Sequence, residues 1–108
     1  MAELQAGQPA GGANVYRVLF EPAARTAWHR HPGGQVLLVI SGQGRVGTKD
    51  GMQEIGPGDL VHARPCERHW HGAAPDSLMV HLAVNLAMGE TGWEERVTDD
   101  EYAGKRAD

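Results

Sequence analysis

Apolar positions in this chain come in short runs, each closed by glycine, proline or acidic residues. Residues 14–20, Asn-Val-Tyr-Arg-Val-Leu-Phe, have the β-branched and aromatic content of a strand, and Glu21-Pro22 ends it. A second strand is predicted over 26–31, followed by the turn Pro32-Gly33-Gly34. Residues 35–41 are apolar on both faces, which predicts a strand buried on both sides and central in its sheet. Turns at 41–44 and 49–51 flank a short strand at 45–48, and Gly56-Pro57-Gly58-Asp59 closes the next, at 52–55. Strands at 60–63, 68–71 and 77–84 complete the set. Strands this short, with turn signals every few residues and no fixed repeat, predict an all-β sandwich or closed barrel.

Composition agrees with this reading. The chain has 108 residues, enough for one packed core and too few for two, and fifteen glycines and six prolines suit many short elements joined by tight turns. The formal net charge is −4, and no stripe of Lys or Arg is present to follow a phosphate backbone, so nucleic acid is excluded as a partner. The most apolar run, 36–40, is about one strand long, so no transmembrane helix and no membrane partner are expected. With a single cysteine, Cys66, no intramolecular disulfide can form, which suits a reducing cytoplasm. Cys66 has only Arg64 and Arg68 nearby to activate it and is assigned no catalytic role.

Residues 1–12 lack a basic cluster and an apolar centre and are expected to form a flexible tail. The barrel is assigned to 13–86. Past it, 87–108 reads as a short helical or irregular tail packing partly on the barrel, with Thr98-Asp99-Asp100-Glu101 in the form of a capping box. Trp93 and Val97, four apart, are available for that packing.

The strongest chemical signal is the six histidines, five of which form His29-x-His31 and His69-x-His71 with His81 beyond. Residues two apart on a strand share a face, so each pair projects together. Imidazole is the commonest protein ligand for transition metals, and two such pairs facing each other across a barrel would make a site. Surface or hydrogen-bonded core histidines are the alternative, and His62, without a partner in the pattern, is read that way. Trp28 and Trp70 alternate with the histidines and are expected to point away from the cavity, against outer strands or a subunit interface.

The stretch from Ala23 to Gly42 resembles the first cupin motif, with His29, His31, Gln35 and Gly42 at its intervals; Ala23 stands at its glycine and Gln35 at its acidic ligand. The stretch from Gly58 to Ala73 resembles the second motif, with Gly58 and His69 in place and Arg64, Cys66 and Ala73 replacing its Pro, Gly and Asn. The resemblance implies a cupin jelly-roll β-barrel with one divalent transition metal on His29, His31, Gln35 and His69. The phrases 20–31, 68–75 and 97–102 are further similar to small bacterial cupins that include manganese-dependent hydroxynitrile lyases. Mn(II) is therefore the implied ion, with Fe(II), Zn(II) and Ni(II) as alternatives.

Three imidazoles and an amide leave the ion's charge uncompensated, which favours an anionic or easily deprotonated oxygen on it. His71 and His81 are then the acid/base candidates. Tyr16, Val18, Thr26 and Asn85 are candidate substrate contacts, with plain core packing the competing role for Tyr16 and Val18. The expected function is a carbon–carbon lyase acting on a small hydroxynitrile. An iron- or manganese-dependent dioxygenase and a non-enzymatic metal- or ligand-binding cupin are the alternatives. A homodimer or homotetramer is expected, because cupins commonly associate through their sheets.

Overall fold

In the computed structural model, which describes residues 3–6, 13–86 and 90–105, ten strands and one short helix are formed. The strands are β1 (Glu3–Ala6), β2 (Ala13–Phe20), β3 (His29–Arg30), β4 (Gln35–Gly42), β5 (Gly44–Thr48), β6 (Gly51–Ile55), β7 (Leu60–Ala63), β8 (Trp70–Ala73), β9 (Met79–Leu86) and β10 (Gly92–Trp93), followed by α1 (Asp99–Tyr102). They form a five-stranded sheet in the order β1-β2-β9-β4-β7, a three-stranded sheet β6-β5-β8 and a small ribbon β10-β3. This is the all-β architecture that the turn spacing predicts, in the jelly-roll-like form that the motif resemblance implies.

Between the two larger sheets the inward side chains Val18, Phe20, Val39, Val46, Ile55, Ala73 and Met79 form one core. The period of two sets its composition: Val18 and Phe20 on β2 face inward with Met79 and His81 on β9, while Arg17 is exposed. Among the described residues no helix is long and apolar enough to cross a membrane.

Several boundaries differ from the expectation. Within the segment expected to be a loose tail, Glu3–Ala6 pairs with β2 as an edge strand; the other residues of 1–12 lie outside the described residues. An open edge of β2 supplies that pairing, and composition carries no trace of it. The strand expected at 26–31 is reduced to His29–Arg30, because the Thr26 and Trp28 amides donate instead to the His71 and Glu95 carbonyls. The strands expected at 68–71 and 77–84 lie two residues further on. The strand at 35–41 is not central: β9 is, and β4 leaves Leu38 and Ile40 more than a third exposed on the outer face, beside the exposed Leu60 of β7.

Trp28 and Trp70 point away from the cavity and form a second core with Val97 and Tyr102 of the C-terminal segment. Gly47 makes room for it: a Cβ there would lie 1.9 Å from Trp70 Nε1, so only glycine lets the indole lie against β5. The segment is held by α1, capped by the Thr98 hydroxyl accepting from the Glu101 amide, with Glu101 accepting from the Thr98 amide. Trp28 Nε1 donates to Glu101, the Tyr102 hydroxyl donates to the Ala73 carbonyl, and the Arg68 guanidinium stacks on the Trp28 ring at 3.8 Å. Burying the two indoles contributes about 2–3 kcal/mol each, which ties the tail to the back of the strands that carry the histidines.

Candidate functional site

The strand period puts His29 and His31 on one inward face, while Arg30 between them turns out to meet Glu94. His69 lies directly opposite His29: each backbone N–H donates to the other's carbonyl, at 2.9 and 3.0 Å. Gln35 opens β4 and is paired with Ala63 on one side and Asn85 on the other. All four side chains are buried, and a ring nitrogen from each of His29, His31 and His69 falls within 4.8 Å of the others. Among the described residues these three histidines are the one group so arranged.

Their outer nitrogens are already committed. His29 Nδ1 donates to the Ala27 carbonyl at 2.8 Å and His69 Nδ1 faces the Glu67 carbonyl at 3.0 Å, each two residues back along the chain. His31 Nδ1 is 3.1 Å from the Thr91 hydroxyl. Such contacts leave the Nε2 atoms to face inward. His31 Nε2 is buried without any hydrogen-bond partner. His69 Nε2 sits 2.9 Å from Gln35 Oε1, whose amide is oriented by donating to Asn85 Oδ1. A neutral imidazole has one N–H, yet His69 faces an oxygen at both nitrogens, so one oxygen meets a lone pair.

A cation removes both defects, and the protonation states suit it. Burial, reinforced by the neighbouring His69 and His31, lowers the His29 pKa to about 3. Burial and then His69 lower that of His31 to about 4, and burial lowers that of His69. All three are neutral at pH 7, as metal ligation requires. The donor set therefore fits a divalent transition ion on His29, His31 and His69 with Gln35 beside them.

His71 of β8 and His81 of β9 form a second group. Their Nδ1 and Nε2 atoms are 3.3 Å apart, and both rings pack on Phe20. Burial is the main cause holding the His71 pKa well below the usual range, with His81 next, and burial brings that of His81 to about 4. The outer nitrogens, His71 Nε2 and His81 Nδ1, are buried and without partners. His71 lies beside the three-histidine cluster, its ring centroid 5.1 Å from that of His29.

His29, His31, His71 and His81 border a cavity of about 220 Å³, also lined by Tyr16, Val18, Phe20, Thr26, Gln35, Ala83, Asn85, Thr91 and Trp93. Tyr16, Val18, Thr26 and Asn85 thus stand at its wall, with different engagements. Val18 belongs to the main core, the Thr26 hydroxyl accepts from the His71 amide at 3.2 Å, and Asn85 holds Gln35. Thr91 and Phe20 escape the sequence reading, and Trp93 enters it only as a packing residue. Trp93 is instead largely exposed, its ring 4.8 Å from that of His29, while Val97 alone joins the tail core. A two-residue ribbon strand has no periodicity to read, so nothing local marks Thr91 or Trp93. A larger depression of about 740 Å³ lies behind the sheet along α1 and Arg68, and none of its lining residues is a histidine.

A family model described as a cupin domain matches residues 16–85. An (R)-mandelonitrile lyase of Granulicella tundricola is 48% identical over 103 residues, 91% of this chain and 76% of that protein. Among solved structures, a cupin-like protein of Thermotoga maritima superposes with a TM-score of 0.83 at 39% identity, covering 91% of this chain and 77% of that one. A DMSP lyase of Ruegeria pomeroyi gives 0.73 at 17% identity over 85% of this chain and 50% of its own, a likeness of fold alone.

Proposed function

The chain belongs to the cupin family, and from that premise we propose that it is a metal-dependent hydroxynitrile lyase, cleaving an aromatic cyanohydrin to an aldehyde and hydrogen cyanide. The observation that supports this most is the pairing of His71 with His81 in the same small cavity that His29 and His31 of the three-histidine cluster line. Its likeness to a mandelonitrile lyase supplies the substrate class.

His29, His31, His69 and Gln35 would hold one divalent ion, Mn(II) in this proposal, which would supply positive charge against the negative charge that develops on the substrate oxygen as the hydroxyl proton leaves. Proton movement belongs to His71 and His81. One proton lies between His71 Nδ1 and His81 Nε2, and in either arrangement one outer nitrogen keeps a lone pair while the other keeps an N–H. The lone pair accepts the substrate hydroxyl proton, the carbon–carbon bond breaks, and the N–H at the other end gives its proton to the departing cyanide. The pair thereby ends with the number of protons it began with. Their lowered pKa values keep both rings neutral and able to accept.

Around them, Thr26 fixes the His71 backbone, and Asn85 fixes Gln35. Tyr16, Val18 and Trp93 offer apolar wall for an aryl ring, and the cavity size restricts the substrate to a small molecule. The reading includes a cytoplasmic protein, consistent with its one free cysteine, and a homodimer or homotetramer, for which Leu38, Ile40 and Leu60 give an apolar outer face.

The test is benzaldehyde plus cyanide with Mn(II)-loaded protein, metal-stripped protein and buffer, reading the enantiomeric excess of the cyanohydrin. Excess of one enantiomer only with loaded protein supports the reading, since uncatalysed addition gives racemate. Racemate at the background rate overturns it, and metal-dependent oxygen uptake with another small substrate would replace it with a dioxygenase.

A further inference from the structure

Two of the three clustered histidines are oriented by the carbonyl two residues before them: His29 by Ala27 and His69 by Glu67. The corresponding carbonyl for His31 is that of His29, and it already accepts the His69 amide at 3.0 Å. His31 instead reaches a hydroxyl sixty residues away, Thr91, at 3.1 Å from its Nδ1. We infer that Thr91 is a positioning residue of the metal site, and that the docked C-terminal segment is thereby part of what makes the site able to bind metal.

A carbonyl only accepts, so Ala27 holds the His29 proton on Nδ1 and leaves Nε2 free. A hydroxyl both donates and accepts. With the Thr91 hydroxyl accepting, His31 keeps its proton on Nδ1 and presents the buried, unpartnered Nε2 lone pair to the cluster. Without it, the Nδ1 proton loses its partner and the ring loses its fixed orientation, both of which weaken ligation.

The rest of the segment shows that Thr91 is held where it is needed. The next two residues, Gly92 and Trp93, pair with Arg30 and His29 as β10 on β3. Glu94 accepts from both Arg30 and Arg68, each at 2.7 Å, and Arg68 also meets Glu95. Trp28 exchanges backbone hydrogen bonds with Glu94 and Glu95. Thr91 therefore sits at the start of a strap fastened across β3, which carries His29 and leads directly into His31.

This inference rests on the metal site of the preceding reading, and the experiment separates the two. Full-length wild type, Thr91→Val and Thr91→Ser are titrated with Mn(II), free ion being read from its EPR signal, and the melting temperature of each metal-free protein is measured. Thr91→Val, which keeps shape and loses the hydroxyl, is expected to bind Mn(II) roughly 10–100-fold more weakly, while the metal-free protein still melts cooperatively with its midpoint lowered only by one lost hydrogen bond. Thr91→Ser is expected to restore wild-type binding. Equal affinity of wild type and Thr91→Val, or failure of Ser to rescue, overturns the role of Thr91 and leaves the metal site standing. Absence of Mn(II) binding by wild type overturns both.

Discussion

His81 Nε2 lies 3.3 Å from His71 Nδ1, although His81 belongs to the five-stranded sheet and His71 to the three-stranded one. The contact crosses the interior of the barrel, with Phe20 packed on both rings and the outer nitrogen of each buried without a partner. A pair so placed is equipped to pass a proton.

That relationship sets the first expected outcome. His71→Ala and His81→Ala should each retain Mn(II) and lower cyanohydrin turnover by about 10²–10⁴-fold, the range for losing an acid/base group. The double variant should lose little more than either single one, because the two act as a unit. Metal content and turnover measured together check this; metal loss in His71→Ala would make His71 a ligand instead.

Gln35→Glu tests the charge of the site. The Gln35 oxygen faces His69 and its nitrogen donates to Asn85, whose amide can turn to donate to a carboxylate. Mn(II) should be retained, while the added negative charge weakens the ion's pull on substrate oxygen and slows turnover by roughly tenfold or more. Unchanged turnover at full metal loading would remove the significance of the neutral ligand.

Backbone strain is carried at Ala23 and Cys66, with φ of 68° and 61°, the two positions at which another residue replaces a glycine of the cupin motifs. Neighbouring bonds hold both in place: the Ala23 amide donates to the Ala74 carbonyl and the Cys66 amide to the His31 carbonyl, each at 2.9 Å. The left-handed conformation costs a non-glycine residue about 1–2 kcal/mol, and the extra freedom of glycine in the unfolded chain returns about 0.4–1 kcal/mol of that. Ala23→Gly and Cys66→Gly should each stabilise the protein by about 0.5–1 kcal/mol, read as a rise in the denaturant midpoint. A fall in either midpoint would contradict the strain assignment.

Metal-free protein should lose stability in acid. His81 takes up a proton near its usual 6.5 in the unfolded chain and only at about 4 when folded, chiefly through burial. Its contribution is fully present above pH 6.5 and is lost as pH falls toward 4, because there the unfolded state binds the extra proton. His81→Leu should show a shallower decline of melting temperature over that window; parallel declines would show that His81 does not titrate as stated.

The sequence by itself determined the fold class, the positions of most strands and the common face of His29 and His31, because turn chemistry and a period of two are local properties. The capping box at Thr98 and Glu101 is local in the same sense and folds as its spacing requires. What the tertiary structure decided are the distances between elements remote in sequence. Strand order made β9 the central strand and left Leu38 and Ile40 of β4 exposed, since a residue's burial depends on what is stacked against its strand. The register of His69 against His29 drew the cluster together, and the meeting of two sheets joined His71 to His81. The docking of the C-terminal segment, driven by burial of Trp28 and Trp70 behind the sheet, carried Thr91 to His31 and Trp93 to the cavity wall. Spacing along a strand says which way a side chain points, and only packing between strands says what it meets.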